Sequence, residues 1–163
     1  MRVTFTPTVA DTLAAYRLHS RPGRARLVVV AAVMAAGSWV AFSETDRSLG
    51  SLLITVAVGI VAYGGMAAGI WFGVLPWWVR RVYRQQKNLH EAVTLEWDAA
   101  GLRARTGRGQ AAMAWSDYVK RRENGAVLLL YQSDALFQFV PLRVLSGEEA
   151  ASLAGFVSGL RIR

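Results

Sequence analysis

Two runs of this chain contain no charged residue, and they leave few choices for its first half. Leu27–Ser43 is 17 residues long and Ser48–Val79 is 32. A helix crossing a bilayer needs about 20 apolar residues, within a range of roughly 17–25. The first run meets the short limit if Arg26 extends its guanidinium toward the headgroups. The second exceeds one span at about 1.5 Å per residue, and tilt or an interfacial first turn absorbs the surplus. Only Glu44–Arg47 separates the runs. They are therefore expected to form an antiparallel transmembrane hairpin, with spans at about 27–43 and 49–78. A cleaved signal peptide ending at Ala41–Ser43 fits worse. The 26 residues before the run pattern as structure and not as a short basic leader.

Orientation follows from the cations. Arg17, Arg21, Arg24 and Arg26 precede the first run, and Arg80, Arg81, Arg84 and Lys87 follow the second. The link offers Arg47 alone, beside Glu44 and Asp46. This positive-inside pattern predicts a multi-pass membrane protein with both termini in the cytoplasm. In "LPWWVRRVYRQQ", Trp77 and Trp78 sit at headgroup depth, and Arg80, Arg81 and Arg84 anchor in the anionic surface beyond. Pro76 removes one helix hydrogen bond and is expected to kink the exit. The formal net charge of +8 is thus largely a matter of topology, so no nucleic-acid partner is expected.

Gly65, Gly69 and Gly73 recur every fourth residue and form one smooth helix face. That face either packs against Ala32/Ala36 or Gly37/Ala41 of the first span, or forms the seam of a homo-oligomer. Neither span carries an ionisable residue, which weighs against a transporter or pore.

After residues 80–90, a basic juxtamembrane helix or linker, the pattern changes. Val93, Leu95 and Trp97 alternate with Thr94 and Glu96, as in a half-buried strand. Turns at Asp98–Gly101 and Thr106–Gly109 bracket a second strand with Arg103 and Arg105 outward. "QAAMAW" leads to Trp115, which shares a face with Met113 and is assigned to the core. Ala126–Gln132 predicts a buried strand, and "LFQFVP" another that ends at Pro141. Ser146 and Glu149 form a capping box for a last helix with Leu153, Phe156, Val157 and Leu160 as its apolar stripe. Residues 91–163 are thus an antiparallel sheet of about five or six strands with one C-terminal helix. So short a segment buries a modest core. Arg2–Thr6, in the N-terminal section 1–26, alternates and is expected to add a strand to that sheet. A helix capped by Thr8 and Asp11 follows it. The expected fold class is α+β: a membrane hairpin, 27–79, carrying a small sheet domain.

No catalytic arrangement stands out. The chain has no cysteine, which excludes disulfides, thiolate metal sites and cysteine nucleophiles. "HEAVT" at His90 opens like a zinc-protease motif, but Thr94 stands where the second ligand belongs. No catalytic residue, metal site or cofactor is assigned. The remaining cations form two groups: Arg103, Arg105 and Arg108 around one hairpin, and the run Lys120, Arg121 and Arg122. They are either a solvated basic face or a grip on anionic lipid headgroups.

Three short motifs complete the reading: "AGLRAR" after the first strand of the tail, "MAWSDYV" at Met113–Val119, and "FVPLRVL" at Phe139–Leu145. With two spans ahead of them, the chain resembles the YcxB-like membrane proteins. It departs from their pattern at Leu142, where a basic residue before Arg143 is more usual. The resemblance implies a pleckstrin-homology-like cytoplasmic domain and a membrane address, and it brings no catalytic residue. The function expected is a non-enzymatic interaction or regulatory module with a protein partner. The alternative is a lipid-headgroup sensor, or less readily a small transporter or pore component.

Overall fold

The computed structural model describes residues 1–21, 24–43 and 48–160. The Glu44–Arg47 link and the side chains of Arg24, Arg26 and Lys87, on which part of the orientation argument rests, lie outside the described residues. The chain divides into two compact units: Met1–Ser20 with Trp77–Arg163, and Arg21–Pro76.

The first unit is α+β. Strands β1 (Arg2–Phe5), β2 (Val93–Trp97), β3 (Gly101–Thr106) and β4 (Gly109–Ala114) form one antiparallel sheet in that order. Strands β5 (Lys120–Glu123), β6 (Val127–Tyr131) and β7 (Phe137–Pro141) form a second. The tail is therefore two sheets and not one. A short 3-10 turn, Trp115–Asp117, interrupts the chain after β4, and the Asp117 carboxylate accepts the Ala114 N–H at 3.1 Å. A strand ending in a side-chain cap does not run on into its neighbour. β5 was hidden from a hydrophobicity reading because all four of its residues are charged.

The N-terminal segment completes this unit at both sheets. β1 pairs with β2, Val3 opposite Leu95 and Phe5 opposite Val93. Helix α1 (Val9–His19) starts at a capping box, with Thr8 accepting the Asp11 N–H and Asp11 accepting the Thr8 N–H. α1 lies against β5 and β6. β6 is consequently buried on both faces. Leu128 and Leu130 join Phe5, Leu95, Trp97, Leu102, Tyr118 and Val140 in the main core. Val127, Leu129 and Tyr131 pack under Ala15 and Leu18 of α1. That is why "VLLLY" is a continuous apolar run, since alternation is needed only where one face meets water. Helix α5 (Gly147–Val157), capped by Ser146 and Glu149, closes the core with Leu153 and Val157.

Gly101 is required by a close approach. A Cβ built there would stand 2.1 Å from the Met113 carbonyl oxygen, inside the backbone of β4.

The second unit is helical. α2 (Arg24–Ser43) and α3 (Leu49–Ala68) lie side by side, with Met34 Cε 3.1 Å from where a Gly59 Cβ would stand. This corrects the packing expectation within the chain. Gly59 makes the close contact, whereas a Cβ at Gly65, Gly69 or Gly73 would meet nothing within 4 Å. The helix continues through Gly69–Val74 in π geometry into α4 (Leu75–Gln85), with the Leu75 N–H reaching back to the Ile70 carbonyl. The widened turn lets the helix run through Pro76, whose ring would otherwise meet the carbonyl four residues back. The continuous helix Leu49–Gln85 is long and apolar enough to cross a membrane, with a mean hydropathy of 2.0 in its most apolar window, and none of that window is buried. The apolar stretch of α2, Leu27–Val40, is shorter.

Candidate functional site

Apart from the glycine row of the second unit, the residues singled out in the sequence fall into three places on the first unit. One is α4. From Trp77 onward it turns one face to the domain: Val79 is fully buried, and the Tyr83 hydroxyl donates to the Pro7 carbonyl at 3.0 Å. Trp78 stands edge-on to Tyr16 of α1 at 5.0 Å, and the Arg81 guanidinium lies 5.7 Å over the Trp77 ring. Arg80, Arg81 and Arg84 are exposed on the opposite side. The segment is therefore an amphipathic helix fixed to the domain, not a free linker.

The second place is the outward face of the first sheet. Alternation along β3 turns Leu102 and Ala104 to the core and Arg103 and Arg105 to solvent. The pairing registers set two rows across this face. One reads Arg2–Glu96–Arg103–Ala112, the other Thr4–Thr94–Arg105–Gln110. In the first row charge is compensated: Arg2 meets Glu96 at 3.5 Å, and Arg103 meets Asp98 at 3.2 Å. The Ala100 N–H and the Arg103 charge hold the exposed Asp98 carboxyl below its ordinary range. In the second row Arg105 has no ion pair among the described residues. Thr94, Glu96, Arg103, Arg105, Gln110 and Ala112 line a shallow dish of about 350 Å³ on this face. Arg108 is elsewhere, at the tip of the β3–β4 turn, where its Nε pairs with Glu91. The hairpin cations therefore do not act as one cluster.

The third place is β5, and it is not a free basic face. Lys120 pairs with Asp134 and lies 4.9 Å over the Tyr131 ring. The Arg122 Nη1 donates to the carbonyls of Leu18 and His19 at 3.2 and 3.1 Å, capping the end of α1. Arg121, paired with Glu123 at 3.6 Å, keeps only 16% of its side chain exposed. These three cations dock the edge of the second sheet against its surroundings.

Two arrangements were missed in the sequence. At the end of α1, His19 stacks on Phe137 at 4.9 Å, and its Nδ1 lies 3.1 Å from the Tyr131 hydroxyl. Burial raises the Tyr131 hydroxyl pKa, with Arg122 opposing. The other is the pairing of Arg143 with Asp11. In the sequence Arg143 reads only as part of a motif, and Asp11 only as a cap.

Trp115 is half-buried and packs against the main core. It stacks on Phe156 at 5.5 Å with nearly parallel rings, and its Nε1–H donates to the Asp98 carbonyl at 2.8 Å. Tyr118 is buried, and its hydroxyl donates to Gln138 at 2.7 Å. Burial and the neighbouring Asp117 charge push its pKa up to about 12. Among the described residues no three His, Asp or Glu side chains gather as a metal site.

Fold and surface together define a small α+β domain attached to an exposed apolar helix. Residues 97–157, from the end of β2 to the end of α5, match the family model described as YcxB-like protein, so the chain carries a YcxB-like region. No curated protein and no solved structure matches the chain.

Proposed function

We propose that the chain is a non-enzymatic integral membrane protein. In this reading α2 and the helix from Leu49 form a two-span hairpin that presents a cytoplasmic, pleckstrin-homology-like domain as an interaction or regulatory module. The observation that carries it is the exposed apolar helix. Leu53, Ile54, Ile60, Val61 and Phe72 are all more than half exposed, an arrangement that water does not tolerate over such a length. The four-plus-three strand order with a closing helix supports the pleckstrin-homology-like reading. The hairpin then enters between β1 and β2, so that both ends of the insertion return to one domain.

A second reading is a sensor of anionic headgroups at the inner leaflet. It is favoured by the exposure of Arg80, Arg81 and Arg84 on one side of α4 and by Arg105, which is exposed and has no ion pair among the described residues. Photo-crosslinking in intact membranes separates the two. A photoreactive residue replaces Thr4, Gln110 or Glu148 in turn. The module reading expects a discrete protein adduct from at least one position. Lipid adducts alone from all three would transfer the case to the sensor.

A further inference from the structure

The edges of the two sheets are not guarded alike. Unpaired strand edges in natural proteins are blunted by charge, proline, shortness or a covering element. The outer edge of β1 is met by the Leu142–Val144 turn, and the Thr6 carbonyl beside it accepts from Arg143 at 3.3 Å. β5 is entirely charged, and β7 ends in Pro141. β4 has none of these protections. It is six residues long, its sequence "GQAAMA" has no charge and no proline, and among the described residues it pairs with β3 alone. All of its residues except Met113 are exposed.

Both ends of this edge are fixed. At one end the Glu91–Arg108 pair holds the turn, and at the other Asp117 takes up the Ala114 N–H. Between them the backbone N–H and C=O groups of alternate residues point away from β3, as antiparallel pairing requires. The side chains that flank the edge on the outward face are short: Ala112 beside Arg103, and Gln110 beside Arg105. A strand added to β4 would place alternate side chains over the same dish. Its residue opposite Gln110 would lie two strand spacings from Arg105, about 9–10 Å between backbones, a gap that two long side chains close. Arg105 is the cation of that row without a compensating carboxylate, so the position selects an acid.

We propose that β4 is the docking edge for an extended acidic segment of a partner protein. The segment adds as a fifth strand, backbone to backbone, with alternate carboxylates facing Arg105 and the Arg103 row. Strand addition supplies affinity through the main chain, and the alternate side chains supply selectivity. A second copy of this chain fits less well, because its own β4 brings no carboxylate and its net charge of +8 repels. This inference rests on the interaction-module reading and names the partner's chemistry.

The test uses the full chain in nanodiscs of zwitterionic lipid and the fluorescence anisotropy of labelled octapeptides. One peptide alternates glutamate with valine and one alternates lysine with valine. Two further glutamate peptides carry N-methyl groups, either on every glutamate or on every valine. The glutamate peptide should bind and the lysine peptide should not. One of the two N-methylated forms should lose binding, because only one set of N–H groups faces β4. Arg105→Glu should weaken the glutamate peptide by about tenfold and admit the lysine peptide. Ala112→Pro, checked by thermal melt, should abolish binding. Equal binding of both N-methylated forms, or an Arg105→Glu variant with unchanged selectivity, overturns the proposal. So does a dimer by sedimentation that Ala112→Pro converts to monomer, since a second copy would then fill the edge. If a crosslinked protein partner is found in membranes but no peptide binds, the edge assignment falls and the module reading stands. If the peptides bind as expected, the edge assignment stands and supports the module reading on which it rests.

Discussion

Arg143 grips Asp11 with two parallel hydrogen bonds, Nε to Oδ1 at 2.9 Å and Nη2 to Oδ2 at 2.7 Å. The same carboxylate caps α1 through Thr8. One side chain thus ties the N-terminal helix to the turn between β7 and α5. Burial alone would raise the Asp11 pKa. The bonds from Arg143 and Thr8 outweigh it and hold the carboxyl below its usual range, while Asp11 in turn raises the pKa of Arg143.

Arg143→Gln should therefore destabilise the folded chain, because it takes both bonds of the fork from the buried Asp11 carboxylate. Arg143→Lys keeps the charge and loses the fork, so its effect should be intermediate. Thermal melts in detergent, with Asp11→Asn to close a double-mutant cycle, measure the coupling. Because the folded pKa of Asp11 is depressed, its contribution is present above the unfolded value and is lost as pH falls through the folded one. The difference between parent and Asp11→Asn should shrink on acidification below about pH 4.

Tyr118 works in the opposite direction. Its pKa is raised to about 12, so its contribution is complete below the unfolded value near 10 and is lost as pH rises from there toward about 12. Tyr118→Phe should melt with a flatter pH dependence across that window. An identical slope in parent and variant would mean that the hydroxyl is solvated.

Residues 91–163 alone should not form a stable domain. Without residues 1–20 the second sheet loses α1, and Val127, Leu129 and Tyr131 are uncovered. The first sheet loses β1 as well. A purified 91–163 fragment should show no cooperative melt, and adding residues 1–20 through a flexible linker should restore one. In the full chain, Leu129→Ala should cost about 2–5 kcal/mol.

Gly101→Ala should also be costly, since the new methyl would fall on the Met113 carbonyl. The change is expected to shift the β3–β4 pairing and lower the melting temperature. Gly109→Ala, with open space around its Cβ position, serves as the control.

These contrasts show what sequence patterning carries. Alternation located β2 and β3, and the capping residues located the starts of α1 and α5, because those signals are local. β5 was not legible. Its charged residues serve as edge and cap, and only the fold brings α1 to Arg122 and Asp134 to Lys120. The ion pairs that divide the hairpin cations were not legible for the same reason. Proximity in sequence put Arg103 and Arg108 together, while the turn separates them and gives each its own carboxylate. The Gly65–Gly69–Gly73 row was legible as a smooth face. Which surface it meets depends on helix packing, and within the chain that contact belongs to Gly59. The open edge of β4 was invisible because it is defined by what does not pair with it.

The central claim is that the helices anchor a domain assembled from both ends of the chain on one side of a membrane. The most direct test is protease protection of the full chain in inverted inner-membrane vesicles, after alkaline carbonate extraction has confirmed insertion. Tags precede Met1 and follow Arg163. The account predicts a pellet-bound protein whose two tags are both digested in inverted vesicles and both protected in intact spheroplasts. A carbonate-soluble protein, or one tag protected while the other is digested, would contradict it.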